Sequence, residues 1–313
     1  MSRPYRSYAR LLALLAPIVL LLAALVACSG PDSVDGSVAA SADAASEEPR
    51  TAAAASEAEE ATVGVAARAG EEGESSGVPF VTRPKASEGS SYQADTVLAV
   101  RYGVHEGYER VVLDLGTGDE PAASVPQWTL MSSTGGGLLR VTLPSMSRTA
   151  VSDGTLGDSL LRSFYVVRAP EGGMFVDVLA RKSFAYRVLE LSDPARLVVD
   201  FRPEGSPLET SPPAVNGNTV LVEPRAGTRI RSPLTVCGYS RNFEASNTIV
   251  LEDARERTVI HRTVLSNDWS STWGYFETTL DLPSFGGDGT LRVGTESARD
   301  GSFEGVEVRV KGE

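Results

Sequence analysis

The chain has 313 residues, of which 22% are charged and 42% hydrophobic, and its formal net charge is −12 at pH 7. This length allows two domains of ordinary size. An acidic chain has no electrostatic means of holding nucleic acid or an anionic lipid surface, so neither is predicted as a partner.

The first 28 residues have the layout of a secretory signal. Three arginines, Arg3, Arg6 and Arg10, precede the apolar run LLALLAPIVLLLAALVA, and Cys28 follows it directly. A positive region followed by an apolar one predicts a signal peptide over residues 1–27, which takes no part in the fold. An uncleaved membrane helix with an incidental cysteine is the alternative.

The segment LVAC, which ends at Cys28, resembles the lipobox of bacterial lipoproteins. The resemblance implies that a diacylglycerol is attached to the Cys28 thiol and that the chain is cleaved before this residue. Two acyl chains hold a protein stably at a membrane, whereas one chain is marginal. The expected location is therefore extracytoplasmic, with the protein anchored by lipid to the bacterial cell membrane.

Residues 28–92 differ in composition from the rest of the chain. They are rich in alanine, serine, glycine and glutamate, contain twelve acidic and four basic residues, and show no apolar period. Such a segment cannot bury enough apolar surface to offset the entropy cost of ordering it. We therefore predict a disordered acidic tether.

The segment 93–203 alternates short apolar runs with turn residues. Runs such as TVLAVRYGV, YERVVLDLG, MFVDVLA and RLVVDFR are separated by clusters of Gly, Pro, Asp and Ser, and no helical period is sustained. This pattern predicts an all-β domain, either a sandwich or a barrel.

Two of these strands carry charged residues at equivalent positions. Because side chains alternate along a strand, RVVLDL places Arg110 and Asp114 on one face, and RLVVDF does the same with Arg196 and Asp200. If the strands pair antiparallel, Arg110 meets Asp200 and Asp114 meets Arg196 on the solvent-facing side. Each such pair contributes about 0.2–1 kcal/mol. This structural role is the favoured interpretation, and ligand binding by the four residues is the alternative.

The same segment resembles a known family. GYERVVLDL, LLRVTLP and YRVLELSDPARLVVDF are similar to the AMIN-like domain of bacterial surface lipoproteins. The most specific part of the pattern is matched by Asp193, Pro194, Arg196, Val198 and Asp200. That domain in turn resembles the AMIN domains that direct cell-wall amidases and secretion proteins to the envelope. The resemblance implies a β-sandwich with an envelope-binding role.

A linker and a second β segment follow. Residues 204–218 contain several prolines and no apolar period, which predicts a stiff linker. Residues 219–313 return to seven short strands, the count of an immunoglobulin-like sandwich. We expect each of the two tandem β-sandwich domains to fold alone, since each approaches the usual domain size.

The second segment also resembles a known family. EPRAGTRIRSPLTVCGYSRNFEASNTIVLED, WGYFETTLDL and SARDGSFEGVEVRV are similar, in this order, to the immunoglobulin-like domain associated with bacterial spore germination proteins. The matching positions are Pro224, Gly227, Ser232, Pro233, Gly238, Phe243, Glu244, Ala245, Phe276, Glu277, Ser297, Asp300 and Gly301. The resemblance implies an immunoglobulin-like sandwich and a context in envelope or germination assemblies.

The stretch NDWSSTWGYFE concentrates aromatic side chains in the second domain, among them Trp269, Trp273 and Tyr275. In a small sandwich at least one such tryptophan fills the core between the sheets. The others form a candidate platform for sugar rings or for a protein partner. Phe243 and Glu244 would extend this platform if folding brings them near it.

The sequence carries no pattern of a catalytic or metal site. The two histidines, His105 and His261, have no partner at metal-ligand spacing, and no Gly-rich segment joins a strand to a helix. Cys237 lies in the alternating run LTVCGY and is expected to be a buried small side chain. We therefore predict no enzyme activity, no catalytic residue, no metal and no cofactor.

The predicted function is non-catalytic binding in the cell envelope, with cell-wall glycan (peptidoglycan) or a wall-associated protein as the ligand. A structural or signalling component of an envelope or germination assembly is the alternative, and an accessory subunit of a cell-wall hydrolase is the third. The candidate binding residues are Arg110, Asp114, Arg196, Asp200, Phe243, Glu244, Trp269, Trp273 and Tyr275.

Overall fold

The computed structural model describes residues 77–86, 93–297 and 299–313. The predicted signal peptide, Cys28 and most of the predicted tether lie outside these residues. Within them the regular structure is almost entirely β-strand, which confirms the predicted all-β fold. No helix in this part of the chain has the length and apolar character needed to cross a membrane.

Twenty-one strands and two short 3-10 turns lie in the described residues. The strands up to residue 203 are β1 (Lys85–Ala86), β2 (Thr96–His105), β3 (Tyr108–Thr117), β4 (Glu120–Pro121), β5 (Thr129–Ser133), β6 (Leu138–Leu143), β7 (Arg148–Thr149), β8 (Asp153–Thr155), β9 (Leu161–Arg168), β10 (Met174–Ala180), β11 (Phe184–Leu191) and β12 (Arg196–Pro203). The remaining strands are β13 (Ala214–Asn216), β14 (Thr219–Glu223), β15 (Arg229–Ile230), β16 (Leu234–Ser240), β17 (Ser246–Asp253), β18 (Thr258–Leu265), β19 (Trp273–Leu280), β20 (Gly287–Glu296) and β21 (Phe303–Gly312). The 3-10 turns are Thr134–Gly136 and Phe243–Ala245.

The first domain is a sandwich of two sheets. One sheet has the order β1-β5-β6-β10-β9 with β8 beside β9, and the other has the order β11-β12-β3-β2-β7 with β4 beside β3. Their facing side chains, which include Trp128, Phe184, Tyr186 and Phe201, form one core. The alternating apolar residues of the strands produce this core, because every second side chain points between the sheets.

The second domain is also a two-sheet sandwich. Strands β13, β14, β16 and β19 form one layer, and β15, β21, β20, β17 and β18 form the other. The core between the layers contains Leu221, Val236, Ile249, Phe276 and Leu291. Two packed layers of this size, antiparallel except for the short parallel pairing of β15 with β21, agree with the predicted immunoglobulin-like sandwich.

The two domains share one sheet. The start of β19 pairs in parallel with β9, which places Trp273 beside Val167 and joins strands of both domains into a ten-stranded sheet. A separate apolar cluster buries this junction and consists of Leu138, Tyr165, Val167, Ala169, Phe175, Leu179, Val220, Val222, Tyr239 and Trp273. Either domain alone would leave its half of the cluster in water. The expectation that each domain folds alone stays a prediction, and the shared junction argues against it.

The end of the predicted tether packs on the first domain. Strand β1 pairs with β5, and the backbones of Val81 and Tyr186 exchange hydrogen bonds at 2.7 and 2.8 Å. The segment VPFVTRPK carries short apolar anchors, Phe80 and Val81, within a region of low overall hydrophobicity. The average composition of residues 28–92 does not reveal these two apolar residues. The predicted tether therefore includes a segment, residues 77–86, that packs on the first domain.

The predicted linker is also partly structured. The N–H of Glu209 donates to the carbonyl of Gly135 at 2.8 Å, and residues 214–216 form strand β13 at the edge of the second domain. The prolines prevent a long strand, but they leave single residues able to bond to neighbouring backbone. The linker therefore lies against the first domain before the chain continues into the second.

Candidate functional site

The charged residues of β3 and β12 form two groups with different surroundings. The strands pair antiparallel, with Arg110 opposite Asp200 and Asp114 opposite Arg196, which is the predicted register. In the first group Asp200 is 0% exposed, and it accepts hydrogen bonds from Nε of Arg110 at 2.6 Å and Nε of Arg187 at 2.7 Å. The prediction that this pair faces solvent is therefore wrong.

Aromatic rings cover this first group. The ring of Phe80 lies 4.7 Å from the guanidinium of Arg187 and 4.5 Å from that of Arg202, and the Tyr108 ring lies 5.1 Å from Arg187. Contacts between a cation and an aromatic face are attractive and exclude water. The carboxylate of Asp200 thus has the partners it needs within the domain, which indicates a structural role.

The second group is accessible. Asp114 accepts from Nε and Nη2 of Arg101 at 2.7 and 2.8 Å, and the side chains of this pair are 24% and 42% exposed. An ion pair at such exposure contributes about 1 kcal/mol or less. Arg101, Asp114 and Arg196 line a small cleft of about 360 Å³. A ligand can reach this group, unlike the first.

Trp273 and Tyr275 do not belong to an exposed platform. Trp273 is 3% exposed, its ring meets Tyr165 edge to face at 4.9 Å between centroids, and its indole N–H donates to Asp153 at 3.0 Å. Tyr275 is half-buried, and its hydroxyl donates to Glu277. Burial and the adjacent Glu277 carboxylate raise the pKa of Tyr275. One tryptophan of the stretch is indeed buried, but it fills the junction between the domains.

Phe243 and Trp269 form an exposed aromatic pair. Phe243 is 70% exposed and Trp269 is 38% exposed. Their rings meet edge to face, with centroids 5.2 Å apart and planes at 75°. The predicted proximity of Phe243 to the tryptophan-rich stretch is thus present for Trp269. Large rings held together at a surface present apolar area to water, which is typical of recognition sites.

A cleft of about 840 Å³ opens beside Phe243. It lies between the β13–β14 turn, the turn that carries Phe243, and the hairpin of β20 and β21. The polar residues that line it include Asn216, Asn218, Asn242, Glu244, Glu296, Arg299 and Glu304. We call Phe243, Trp269 and this cleft the aromatic end. Acidic groups outnumber basic ones among these residues, so the cleft suits neutral or cationic parts of a ligand better than anionic ones.

Sequence reasoning missed most of this cleft. Asn216 and Asn218 were assigned to the linker, and the hairpin residues Arg299 and Glu304 were not singled out. The turn signal NGN at residues 216–218 marks a chain reversal, but a pattern does not reveal which turns meet at one end of a sandwich.

The turn that presents Phe243 has an unusual backbone. Glu244 and Ala245 have φ angles of 54° and 59°, in the left-handed region that costs a non-glycine residue about 1–2 kcal/mol. The carbonyl of Ala245 accepts from the N–H and hydroxyl of Ser266 at 2.9 and 3.2 Å, and from Nδ2 of Asn247 at 3.0 Å. These bonds hold the turn and tie it to the loop with the exposed tryptophan. Strain kept in place beside a surface cleft is a feature of functional sites.

The chemistry available at the aromatic end is hydrogen bonding and ring stacking. Among the residues that the structure describes, no three His, Cys, Asp or Glu side chains are grouped to hold a metal ion. Cys237 is half-buried at the domain junction. Burial, together with Glu277 and Glu223, raises the pKa of its thiol, which keeps it protonated and weakly nucleophilic.

Comparison with protein families identifies both domains. A family model described as an AMIN-like domain matches residues 95–203. A second model, described as an immunoglobulin-like domain of bacterial spore germination, matches residues 219–302. No curated protein and no solved structure matches the chain. The two models confirm the predicted order of domains, and the second contains the aromatic pair.

Proposed function

Because the chain joins an AMIN-like domain to an immunoglobulin-like domain of bacterial spore germination, we propose that it is a non-catalytic binding protein of the bacterial cell envelope. Both domains are of non-catalytic types, and the pair indicates an extracytoplasmic envelope protein. The proposed ligand is cell-wall glycan, and the proposed site is the aromatic end of the second domain.

The observation that carries this proposal is the exposed Phe243–Trp269 pair beside a polar cleft. The apolar face of a sugar ring stacks on an aromatic ring, while its hydroxyl and acetamido groups need hydrogen-bond partners. Asn216, Asn218 and Glu304 offer amide and carboxylate groups of this kind. A cleft of this volume falls within the range of small-ligand sites, and a few placed polar groups in such sites give specificity.

Sedimentation with purified peptidoglycan tests the proposal. We expect the protein to sediment with the wall, and we expect Phe243→Ala and Trp269→Ala each to lower the affinity about tenfold, which equals about 1.4 kcal/mol. The melting temperature of Phe243→Ala should stay close to the wild-type value, because Phe243 is 70% exposed, whereas Trp269→Ala should lower it slightly, because Trp269 is 38% exposed and so partly packed. Met131→Ala is a matched control, since Met131 is 64% exposed but lies on the first domain. Equal binding by wild type and both aromatic variants would refute the proposed site.

A role as an assembly partner is the second candidate, and an exposed edge strand favours it. Strand β18 forms the outer edge of its sheet, and Leu265 at its end is 67% exposed. Edge strands pair with extended segments of other proteins. An assembly role predicts that Leu265→Asp abolishes co-purification of envelope proteins and leaves wall sedimentation unchanged.

We also propose that Cys28 carries a diacylglycerol anchor, as its lipobox-like context implies. The chain contains one other cysteine, Cys237, whose protonated, half-buried thiol makes it a poor acceptor. Metabolic labelling with a fatty acid should mark the wild type and leave Cys28→Ala unlabelled and released from the membrane. Label that persists in Cys28→Ala would contradict the anchor.

A further inference from the structure

The loop that carries Trp269 is organised by one carboxylate. Oδ1 of Asp268 accepts from the backbone N–H groups of Trp269 at 2.7 Å and of Ser270 and Ser271 at 3.1 Å each. Three donors on one oxygen fix the path of the chain over these residues. The position of the Trp269 ring therefore depends on the position of Asp268.

The other oxygen of this carboxylate is held by the first domain. Oδ2 of Asp268 accepts from Nε and Nη2 of Arg168 at 3.3 and 3.2 Å. Arg168 ends strand β9, and its Nη1 donates to the carbonyl of Ser147 in the same domain at 2.9 Å. The side chains of Arg168 and Asp268 are 26% and 10% exposed. The pair is thus shielded from water well enough to be more than a surface contact.

Further bonds attach both ends of the loop to fixed structure. Nδ2 of Asn267 donates to the carbonyls of Arg168 and Ala169 at 3.1 Å each, and the hydroxyl of Thr272 donates to the carbonyl of Val166 at 2.5 Å. These acceptors all lie on β9 or directly after it. The loop of the second domain therefore rests on the backbone of the first.

A close backbone approach completes this support. A Cβ on Gly274 would lie 2.0 Å from the carbonyl oxygen of Asp268, so only glycine fits where the loop folds against the start of β19. Ser266, at the other end of the loop, bonds to the carbonyl of Ala245 in the turn that presents Phe243. The two rings of the aromatic pair are therefore linked to each other and, through Asp268, to Arg168.

We infer that the first domain positions Trp269 through the Arg168–Asp268 pair, so that the aromatic end is complete only when the two domains are docked. Arg168 is a positioning residue in this account and does not contact the ligand. The identity of the ligand rests on the proposed function, but the positioning of Trp269 by Arg168 is tested without any ligand.

Tryptophan fluorescence provides the test without ligand. The chain has three tryptophans, of which Trp128 and Trp273 are 2% and 3% exposed, so quenching by acrylamide reports mainly on Trp269. We expect Arg168→Ala and Asp268→Asn to raise the quenching constant, with Trp269→Phe as the baseline. Arg168→Lys, which retains one charged donor, should recover part of the change. Quenching that is unchanged in both Arg168→Ala and Asp268→Asn would overturn the inference.

A matched control separates release of the Trp269 loop from the general effect of removing an ion pair from the first domain. Arg181 pairs with Asp158 in the first domain at 3.3 Å, and its side chain is 39% exposed. Arg181→Ala should leave the quenching constant at the wild-type value. An equal rise in Arg181→Ala and Arg168→Ala would mean that the readout reflects domain stability, and it would overturn the positioning role.

A double-mutant cycle on full-length protein with purified peptidoglycan tests the link to binding. We expect Arg168→Ala to weaken binding about tenfold in the wild type and to have no further effect in the Trp269→Ala background. Equal losses in both backgrounds would contradict action through Trp269. If no form of the protein binds peptidoglycan, the proposed function fails, and the quenching result alone decides the positioning role.

Discussion

Two regions of the molecule place unexpected side chains in a β-sandwich. One is the charged face of the first domain, formed by Arg110, Asp114, Arg196 and Asp200, and the other is the aromatic end of the second domain. On the charged face, Asp200 is fully buried between two guanidinium groups of its own domain. At the aromatic end, Phe243 projects into solvent and Trp269 is partly exposed beside it. An unusual side chain whose partners lie within the fold indicates structure, whereas one that remains exposed indicates recognition.

The energetic consequences of the two arrangements differ. A buried charge destabilises a fold strongly if its partner is removed, because the desolvated charge is left uncompensated. Phe243, at 70% exposure, buries little area, so its removal changes stability little. Mutations in the two regions should therefore separate cleanly into effects on folding and effects on binding.

Asp200→Ala should destabilise the fold strongly. It leaves the guanidinium groups of Arg110 and Arg187 buried without the carboxylate that they share, and we expect a loss of about 3–5 kcal/mol in the free energy of unfolding. Asp114→Ala, which breaks the exposed bond to Arg101, should cost about 0.2–1 kcal/mol. Urea denaturation measures both. Equal small losses would show that the Asp200 cluster is not shielded from water.

Trp273→Ala tests the buried counterpart of Trp269 in the same stretch. Its ring packs against Tyr165 and Tyr239 at the domain junction, and truncating a buried tryptophan costs about 3–5 kcal/mol. Because the cluster joins the domains, calorimetry should also show one melting transition split into two. Trp269→Ala should keep a single transition with a smaller shift, because Trp269 is 38% exposed and lies outside the junction cluster. A single unshifted transition in Trp273→Ala would contradict the shared junction.

The loop that carries Trp269 should also show a weak dependence on pH. Partial burial acts to raise the pKa of Asp268, but the backbone N–H groups of residues 269–271 and Arg168 outweigh it and lower the pKa overall. A carboxylate with a lowered pKa stabilises the fold above its unfolded value, about 3.9, and this stabilisation is lost as pH falls through the folded value. Quenching of Trp269 should therefore rise only as the pH falls below this unfolded value. Asp268→Asn should lack this transition, and a transition that persists in this variant would assign it to another group.

Part of this architecture was predictable from residue patterns. The register of β3 and β12 follows from their shared spacing of arginine and aspartate, and it is correct. The burial of Asp200 was not predictable, because Phe80 belongs to a segment whose average composition hides it. Alternation in WGYF places Trp273 on the face opposite Phe276, which fills the sandwich core. No local pattern shows that the first domain covers that opposite face.

We propose that the ligand binds at the aromatic end and not on the charged face. The most direct test compares peptidoglycan sedimentation of Phe243→Ala and Arg196→Ala, each checked for an unchanged melting temperature. The account predicts about a tenfold loss of affinity for Phe243→Ala and wild-type affinity for Arg196→Ala. A tenfold loss for Arg196→Ala with wild-type binding by Phe243→Ala would contradict it.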